Sequence, residues 1–230
     1  MREITLKIDG REVKGKQGDR VLDVCLANGI YVPTLCHFAC LTPIGACRLC
    51  IIEIEDEKKL NTACTYPARD GLIVRTNTET LNNHRRKVLE FLFAERNHYC
   101  MFCERSDDCE LQDLAYRFQL YSIPLTMFSP KLPVDSKHKC LTIDHSRCVL
   151  CARCIRACDE IVGLHVLDFL ERGSRTLLVA GLKEPLANSP CIACGLCMQV
   201  CPTGSIFDKL STYKWKRKEC QKVSTICQEC

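Results

Sequence analysis

The segment "SRCVLCARCIRACDE", residues 146–160, presents Cys148, Cys151, Cys154 and Cys158 with two, two and three residues between them. Further along, "CIACGLCMQVCP", residues 191–202, repeats that spacing with Cys191, Cys194, Cys197 and Cys201, the last followed by Pro202. Thiolates so placed are metal ligands before they are anything else. Structural zinc is one reading, since cysteines two apart make half of a tetrahedral site. Zinc sites, however, close with a second Cys or His pair, whereas two runs of four at two-two-three spacing suit a pair of iron–sulfur cubanes. A tight loop wraps three thiolates around one corner of a cubane and turns its backbone N–H groups toward the sulfurs. It cannot deliver the fourth without strain.

This pattern resembles that of two-cluster bacterial ferredoxins, in which the fourth cysteine of each run serves the other cluster. The resemblance implies one 4Fe–4S site at Cys148, Cys151, Cys154 and Cys201, and another at Cys158, Cys191, Cys194 and Cys197. Two redox centres interlocked in this way are useful for passing electrons.

Two further groups lie upstream. Cys36, Cys47, Cys50 and Cys64 stand in "TLCHFACLTPIGACRLCIIEI" and "NTACTYP", with ten, two and thirteen residues between them, and Cys40 is an alternative to Cys36. This set resembles the 2Fe–2S site in the N-terminal domain of the large iron–sulfur subunit of respiratory complex I. It is longer between its first two ligands than the plant-type pattern. Cys100, Cys103 and Cys109 lie in "ERNHYCMFCERSDDCELQDLAYRF", and "CELQ" also matches that family. There the resemblance implies a 4Fe–4S site completed by an upstream histidine. The family commonly leaves three residues between that histidine and the first cysteine. Here Arg96 occupies that position and cannot ligate, so the implied ligand is His98, separated from Cys100 by Tyr99 alone.

The resemblance covers nearly the whole chain. It extends to the iron–sulfur part of some iron-only hydrogenases, to bifurcating and NAD-dependent formate dehydrogenases, and above all to the small diaphorase subunit of NAD(P)-linked hydrogenases. What it implies is an iron–sulfur subunit with one 2Fe–2S and three 4Fe–4S clusters, carrying single electrons between a flavin centre and a remote catalytic centre. The implied partners are a flavin- and NAD(P)-binding subunit, a thioredoxin-like 2Fe–2S subunit and a catalytic oxidoreductase subunit. The implied fold class is α+β. A β-grasp 2Fe–2S ferredoxin-like domain spans residues 1–78. A small helical domain, whose 4Fe–4S cluster takes one histidine and three cysteines, spans 79–120, and a connector 121–139. A two-cluster ferredoxin-like domain follows at 140–210, and a basic cysteine-containing tail at 211–230.

In that tail Cys220, Cys227 and Cys230 are one ligand short of a tetrahedral site. The closing "CQEC" resembles the start of the cluster motif that opens the catalytic part of molybdenum formate dehydrogenases. A further zinc or iron–sulfur site is therefore expected here, completed by Cys140, Cys40 or a partner chain. The alternative is a frayed terminus.

The elements that must position these ligands are legible in outline. "ITLKIDGREVKGK" alternates apolar and polar residues about Asp9-Gly10, a hairpin signal. Asp19 is placed to cap a short helix, "RVLDVCLANG", that stops at Asn28-Gly29, with Cys25 a buried apolar thiol on it. "CIIEIED" and "GLIVRTNT" read as strands, together making a small half-open sheet wrapped over one helix. "TLNNHRRKVLEFLFAER" places Val88, Leu89, Leu92 and Phe93 on one helical face. "LHVLDFLERGSRTLLVAGL" reads as a strand pair turning at Gly173-Ser174, and the stretch from Tyr121 to Lys139, with its prolines, as a connector.

Composition bounds the function. With 21 cysteines in 230 residues, an odd count and no apolar leader, a disulfide scaffold is excluded and a reducing cytoplasm expected. No run of eighteen apolar residues predicts membrane insertion. A net charge of +4 calls for no nucleic acid, although the tail's "YKWKRK" would suit one if the metals merely held an interaction module together. No glycine-rich dinucleotide fingerprint is present, so flavin and nicotinamide are expected on another chain.

Overall fold

The computed structural model describes residues 2–181, 184–210, 216, 219–221, 223, 224 and 226. The N-terminal hairpin forms as its alternation dictates. β1 (Glu3–Ile8) pairs antiparallel with β2 (Arg11–Lys16), and Ile4, Leu6 and Ile8 point to the interior. Asp9 at φ 49° and Gly10 at φ 82° supply the two left-handed residues that the tight turn needs. Next comes α1 (Val21–Ala27), which buries Val21, Leu22, Val24 and Cys25. Its cap differs from expectation. Arg20 is the N-cap residue, and the Asp23 carboxylate accepts from the Arg20 N–H at 3.1 Å, while Asp19 instead accepts from the Lys16 N–H at 2.9 Å. The end is as read, with Gly29 left-handed and the Asn28 side chain donating to Val24 O.

β3 (Ile51–Ile54), β4 (Asn61–Thr62) and β5 (Ile73–Arg75) complete a five-stranded sheet of order β2-β1-β5-β3-β4. β1 and β5 run parallel, and the other pairs antiparallel. α1 packs across this sheet over a core that includes Leu6, Ile8, Leu22, Ile52 and Val74. Gly15 is needed for that approach, because a Cβ there would lie 2.6 Å from Val24 Cγ2.

α2 (Glu79–Glu95) starts at Thr78, whose Oγ1 accepts from the Leu81 N–H, and ends at Arg96. Its apolar face carries Leu89 with Val88, Leu92 and Phe93 onto α3 (Glu110–Arg117), Leu35 and Leu49. Its polar side also binds inward: Arg85 donates to Leu49 O and Ile51 O, fixing the loop that holds Cys47 and Cys50.

The expected connector does not end as one. β6 (Val134–Asp135), within it, pairs with β7 (Leu141–Asp144), and β10 (Ile206–Asp208) pairs with the other edge of β7. Around this sheet lie α4 (Arg153–Arg156), a hairpin of β8 (Leu167–Leu170) and β9 (Leu177–Ala180), and α5 (Leu196–Gln199). The hairpin turns through Gly173–Arg175, as its sequence suggests. Among the described residues no helix is long and apolar enough to cross a membrane. Helix and strand are mixed throughout.

Candidate metal centres

The two cysteine runs of residues 148–158 and 191–201 fold into matching loops. In the first, Leu150 and Ala152 are left-handed at φ 51° and 56°; in the second, Ala193 and Gly195 stand at the equivalent places with φ 59° and 74°. A left-handed conformation costs a non-glycine residue about 1–2 kcal/mol, so three such residues need a compensating reason. They turn amides onto thiols: Leu150 N–H donates to Cys148 Sγ and Ala193 N–H to Cys191 Sγ, both at 3.4 Å. Backbone N–H groups gathered this way favour negative sulfur.

Each loop opens on an apolar cavity. One is lined by Cys148, Cys151 and Cys154 together with Cys201. The other is lined by Cys191, Cys194 and Cys197 together with Cys158. The fourth cysteine of each run thus faces the other run's cavity. The thiols repel ionisation in the same groupings. Burial first, and then Cys201, pushes Cys151 up, and burial with Cys191, Cys194 and Cys158 pushes Cys197 up to about 12. Such thiols ionise only when a cation joins them.

Cys36, Cys47, Cys50 and Cys64 also come together. Hydrogen bonds from the thiols of Cys47 and Cys64 hold Cys36 down, and the same contacts push those two thiols up. Leu35 N–H donates to Cys47 Sγ and Cys47 N–H to Cys36 Sγ. Cys40, the alternative, is exposed. Cys25 is wholly buried in the α1 core, where desolvation, then Asp9, raises its thiol to about 12.

Cys100, Cys103 and Cys109 share a half-buried site in which burial, and then the other two thiols, lifts Cys109 to about 11. His98 stands beside Phe93, ring centroids 5.3 Å apart, with Nε2 3.1 Å from Leu92 O. If Nε2 donates to that carbonyl, Nδ1 keeps its lone pair for a metal, the usual division of labour in a ligating imidazole. Burial holds the ring neutral, its pKa lowered to about 4. Arg96, at the position a histidine commonly holds, is 1% exposed and donates to His145 O at 2.9 Å and Thr176 O at 2.6 Å. Its place is taken by docking.

Among the described residues no three His, Cys, Asp or Glu side chains converge to hold a single metal ion. The thiols of the two runs ring cavities instead, which is the arrangement a cubane several ångströms across requires. Soft donors, thiol-directed amides and apolar walls all fit iron–sulfur clusters. In the tail, Cys220 is exposed with Sγ on Lys216 O, and Cys227 and Cys230 lie outside the described residues. Cys140 packs half-buried against the core of the paired-loop module.

Several residues around these ligands were not legible in the sequence. Arg153, 2% exposed, makes a two-pronged pair with Glu110 at 2.7 and 2.8 Å, next to Cys109. Arg156 donates to Cys36 O at 2.5 Å and to Thr42 O, while Cys151 O lies 3.5 Å away. Glu160 accepts from the Thr42 N–H. These contacts weld the Cys36 loop and the Cys100 region onto the paired-loop module. The one signal available was the pair Arg153 and Arg156 set among the cysteines of a single run.

Known proteins carry the same segments. Residues 1–79 match the 2Fe-2S iron-sulfur cluster binding domain, residues 85–124 the NADH-ubiquinone oxidoreductase-G iron-sulfur binding region, and residues 139–207 the ferredoxin-like domain of NADH-quinone oxidoreductase subunit 3. The chain is 34% identical to the G 2 subunit of the NADH-quinone oxidoreductase of Rhizobium meliloti, over 99% of itself and 26% of that protein. It is 30% identical to the HndD subunit of the NADP-reducing hydrogenase of Solidesulfovibrio fructosivorans, over 94% of itself and 37% of that protein. It therefore spans from about a quarter to somewhat over a third of the length of these relatives. The gamma subunit of the NAD-reducing hydrogenase HoxS of Cupriavidus necator is 31% identical, with 91% of this chain and 89% of that one covered. A chain of a solved NAD+-reducing NiFe-hydrogenase superposes with a TM-score of 0.87 at 34% identity, covering 92% of this chain and 90% of its own. With a 2Fe–2S domain followed by 4Fe–4S binding regions in this order, and near full-length likeness to the HoxS gamma chain, the protein belongs to the family of iron–sulfur subunits found in NAD-reducing hydrogenases and NADH-quinone oxidoreductases.

Proposed function

We propose that this chain is the electron-carrying subunit of an NAD(P)-linked hydrogenase or related oxidoreductase complex. In this reading it holds one 2Fe–2S cluster at Cys36, Cys47, Cys50 and Cys64, and one 4Fe–4S cluster at His98, Cys100, Cys103 and Cys109. The two ferredoxin-like 4Fe–4S clusters use the crossed ligand sets. The domains are a β-grasp unit to residue 78, a helical unit to 120, a connector and a two-cluster unit over 140–210. The observation that carries the reading is the pair of apolar cavities, each lined by three cysteines of one run and one of the other.

The clusters supply one-electron oxidation and reduction when bound, and the chain's own residues fix their places and exclude water. Arg156 spans the Cys36 loop and the Cys151 loop, while Arg153 joins the Cys154 helix to Glu110 beside Cys109. These links support a row in which the cluster at Cys148 lies between the 2Fe–2S cluster and the one at Cys100. Partner subunits bind flavin and NAD(P) at one end of the row and perform the terminal chemistry at the other.

Protein purified without oxygen should contain roughly 14 irons per chain, with matching acid-labile sulfide and a brown colour that bleaches on reduction by dithionite. Zinc with little iron would refute the proposal and leave a metal-stabilised interaction module in its place.

A further inference from the structure

The Arg147 side chain belongs to the paired-loop module, immediately before Cys148, yet its cationic end lies in the neighbouring site. Nη1 is 3.5 Å from Cys103 Sγ, 2.6 Å from Glu104 Oε2 and 3.4 Å from Gly204 O. Nε stands 3.0 Å from Asp144 Oδ2, and the guanidinium carbon lies 5.4 Å from the centre of the Phe207 ring. The side chain is only 13% exposed, so water screens these charges weakly. Its backbone carbonyl accepts from Thr203 Oγ1 and so pins the residue to the loop that carries Cys201.

Gly204 explains how the charge comes so near. A Cβ there would lie 2.6 Å from Cys103 Sγ and 3.2 Å from Glu104 Oε1. Only a bare backbone leaves the sulfur, the carboxylate and the guanidinium room to meet. Glu104 is itself buried, and its Oε1 has no hydrogen-bond partner. A buried, half-satisfied carboxylate beside a thiol is costly unless its charge has a use.

The nearest opposite and like charges act on the thiol in opposite senses. Arg147 Nη1, 3.5 Å from Cys103 Sγ, favours negative charge on that sulfur by its position, whereas the buried Glu104 carboxylate beside it disfavours it. Reduction of a cluster adds one negative charge to the same site. A cation and an N–H donor at a ligand sulfur therefore stabilise the reduced state, and a buried carboxylate opposes it.

We propose that Arg147 and Glu104 form a built-in pair of opposed controls on the redox potential of the cluster held by Cys100, Cys103 and Cys109, with the raising half supplied from the adjoining module. The inference rests on the reading that those cysteines hold an iron–sulfur cluster. Docking of the two modules then sets the potential as well as the distance, because Arg147 reaches Cys103 only when they are joined.

The test is a redox titration followed by electron paramagnetic resonance on the full chain purified without oxygen. The relevant signal is identified as the one that Cys103→Ala abolishes. Iron and sulfide content is measured in every variant. Arg147→Gln should lower the midpoint potential of that signal, Arg147→Lys should restore part of the difference, and Glu104→Gln should shift it upward. The signal of the 2Fe–2S cluster should stay in place in all three. General loosening of the site would move both neutral variants the same way, so opposite shifts support the proposal and shifts of one sign overturn it. If Arg147→Gln loses the cluster, Glu104→Gln decides alone, with an unchanged or lowered potential counting against it. If the unmodified chain yields no iron–sulfur signal at these cysteines, it is the proposed function that fails.

Discussion

Replacing Arg96 by leucine should uncouple the end of α2 from the paired-loop module. The side chain is among the largest fully buried ones in the molecule, and its guanidinium donates to two backbone carbonyls, at His145 and Thr176. Both acceptor residues are themselves buried. A hydrogen bond from a charged donor contributes about 1.5–3 kcal/mol, and each carbonyl left unpaired inside costs about 1–3 kcal/mol. These describe the same loss from two sides, so they are not added. Leucine refills part of the volume, and removing the charge recovers its desolvation cost, which leaves about 3 kcal/mol of net destabilisation. For a chain of this size that corresponds to a fall in Tm of about 6–12 °C. Calorimetry at a fixed scan rate on anaerobic protein would read it, and amide hydrogen exchange should show β7 and β9 opening more often. Arg96→Lys should fall between, because one ammonium cannot reproduce the planar fork. A melting temperature within about 2 °C of the parent for Arg96→Leu would refute the view that this arginine joins the two regions.

The proposed crossed ligand sets make a reciprocal prediction: Cys158→Ala should damage the cluster of Cys191, Cys194 and Cys197, and Cys201→Ala that of Cys148, Cys151 and Cys154. Cluster-resolved paramagnetic resonance checks it, and loss confined to each mutated run's own loop would refute it. His98→Cys should lower the potential of the cluster at Cys100, since a thiolate adds a negative charge that imidazole lacks; unchanged signals would remove His98 from the ligand set. Cys25, held neutral by burial, should resist iodoacetamide at pH 8 until the protein unfolds, as mapped by mass spectrometry, and labelling as fast as Cys40 would contradict its burial. Its folded pKa of about 12 lies above the unfolded value of 9.0, so its contribution to stability is complete below pH 9 and is lost as pH climbs toward 12.

What could be read in advance followed from local chemistry. The β1–β2 turn was legible because Asp9-Gly10 supplies the two left-handed residues a hairpin needs, and the likeness of the two cysteine loops because their spacing repeats, with left-handed residues at equivalent places. The misread cap shows the limit of that logic. Asp19 and Asp23 are both plausible partners for the start of α1, and the choice fell to Asp23 because Asp19 is already engaged with the Lys16 amide that closes β2. β6 could not be seen at all, since Val134–Asp135 is too short to show alternation and pairs only because β7 lies alongside. Arg96, Arg147, Arg153 and Arg156 look like ordinary solvated charges in sequence. Each is buried by partners between 43 and 120 residues away, a distance at which spacing carries no signal.

The two thiol-lined cavities bear on the order in which the molecule can be made. The first takes Cys148, Cys151 and Cys154 from the start of its module and Cys201 from the end. The second takes Cys158 from the first half of that module and its remaining cysteines from more than thirty residues later. A chain emerging from the ribosome therefore cannot complete the second set until residue 197 has cleared the exit tunnel, nor the first until residue 201 has. Iron delivered earlier would find only partial sets of thiols. Loading of this module is thus expected to wait for its last cysteines, and chains interrupted before Cys191 should leave both of its sites without iron, whatever the sites upstream hold.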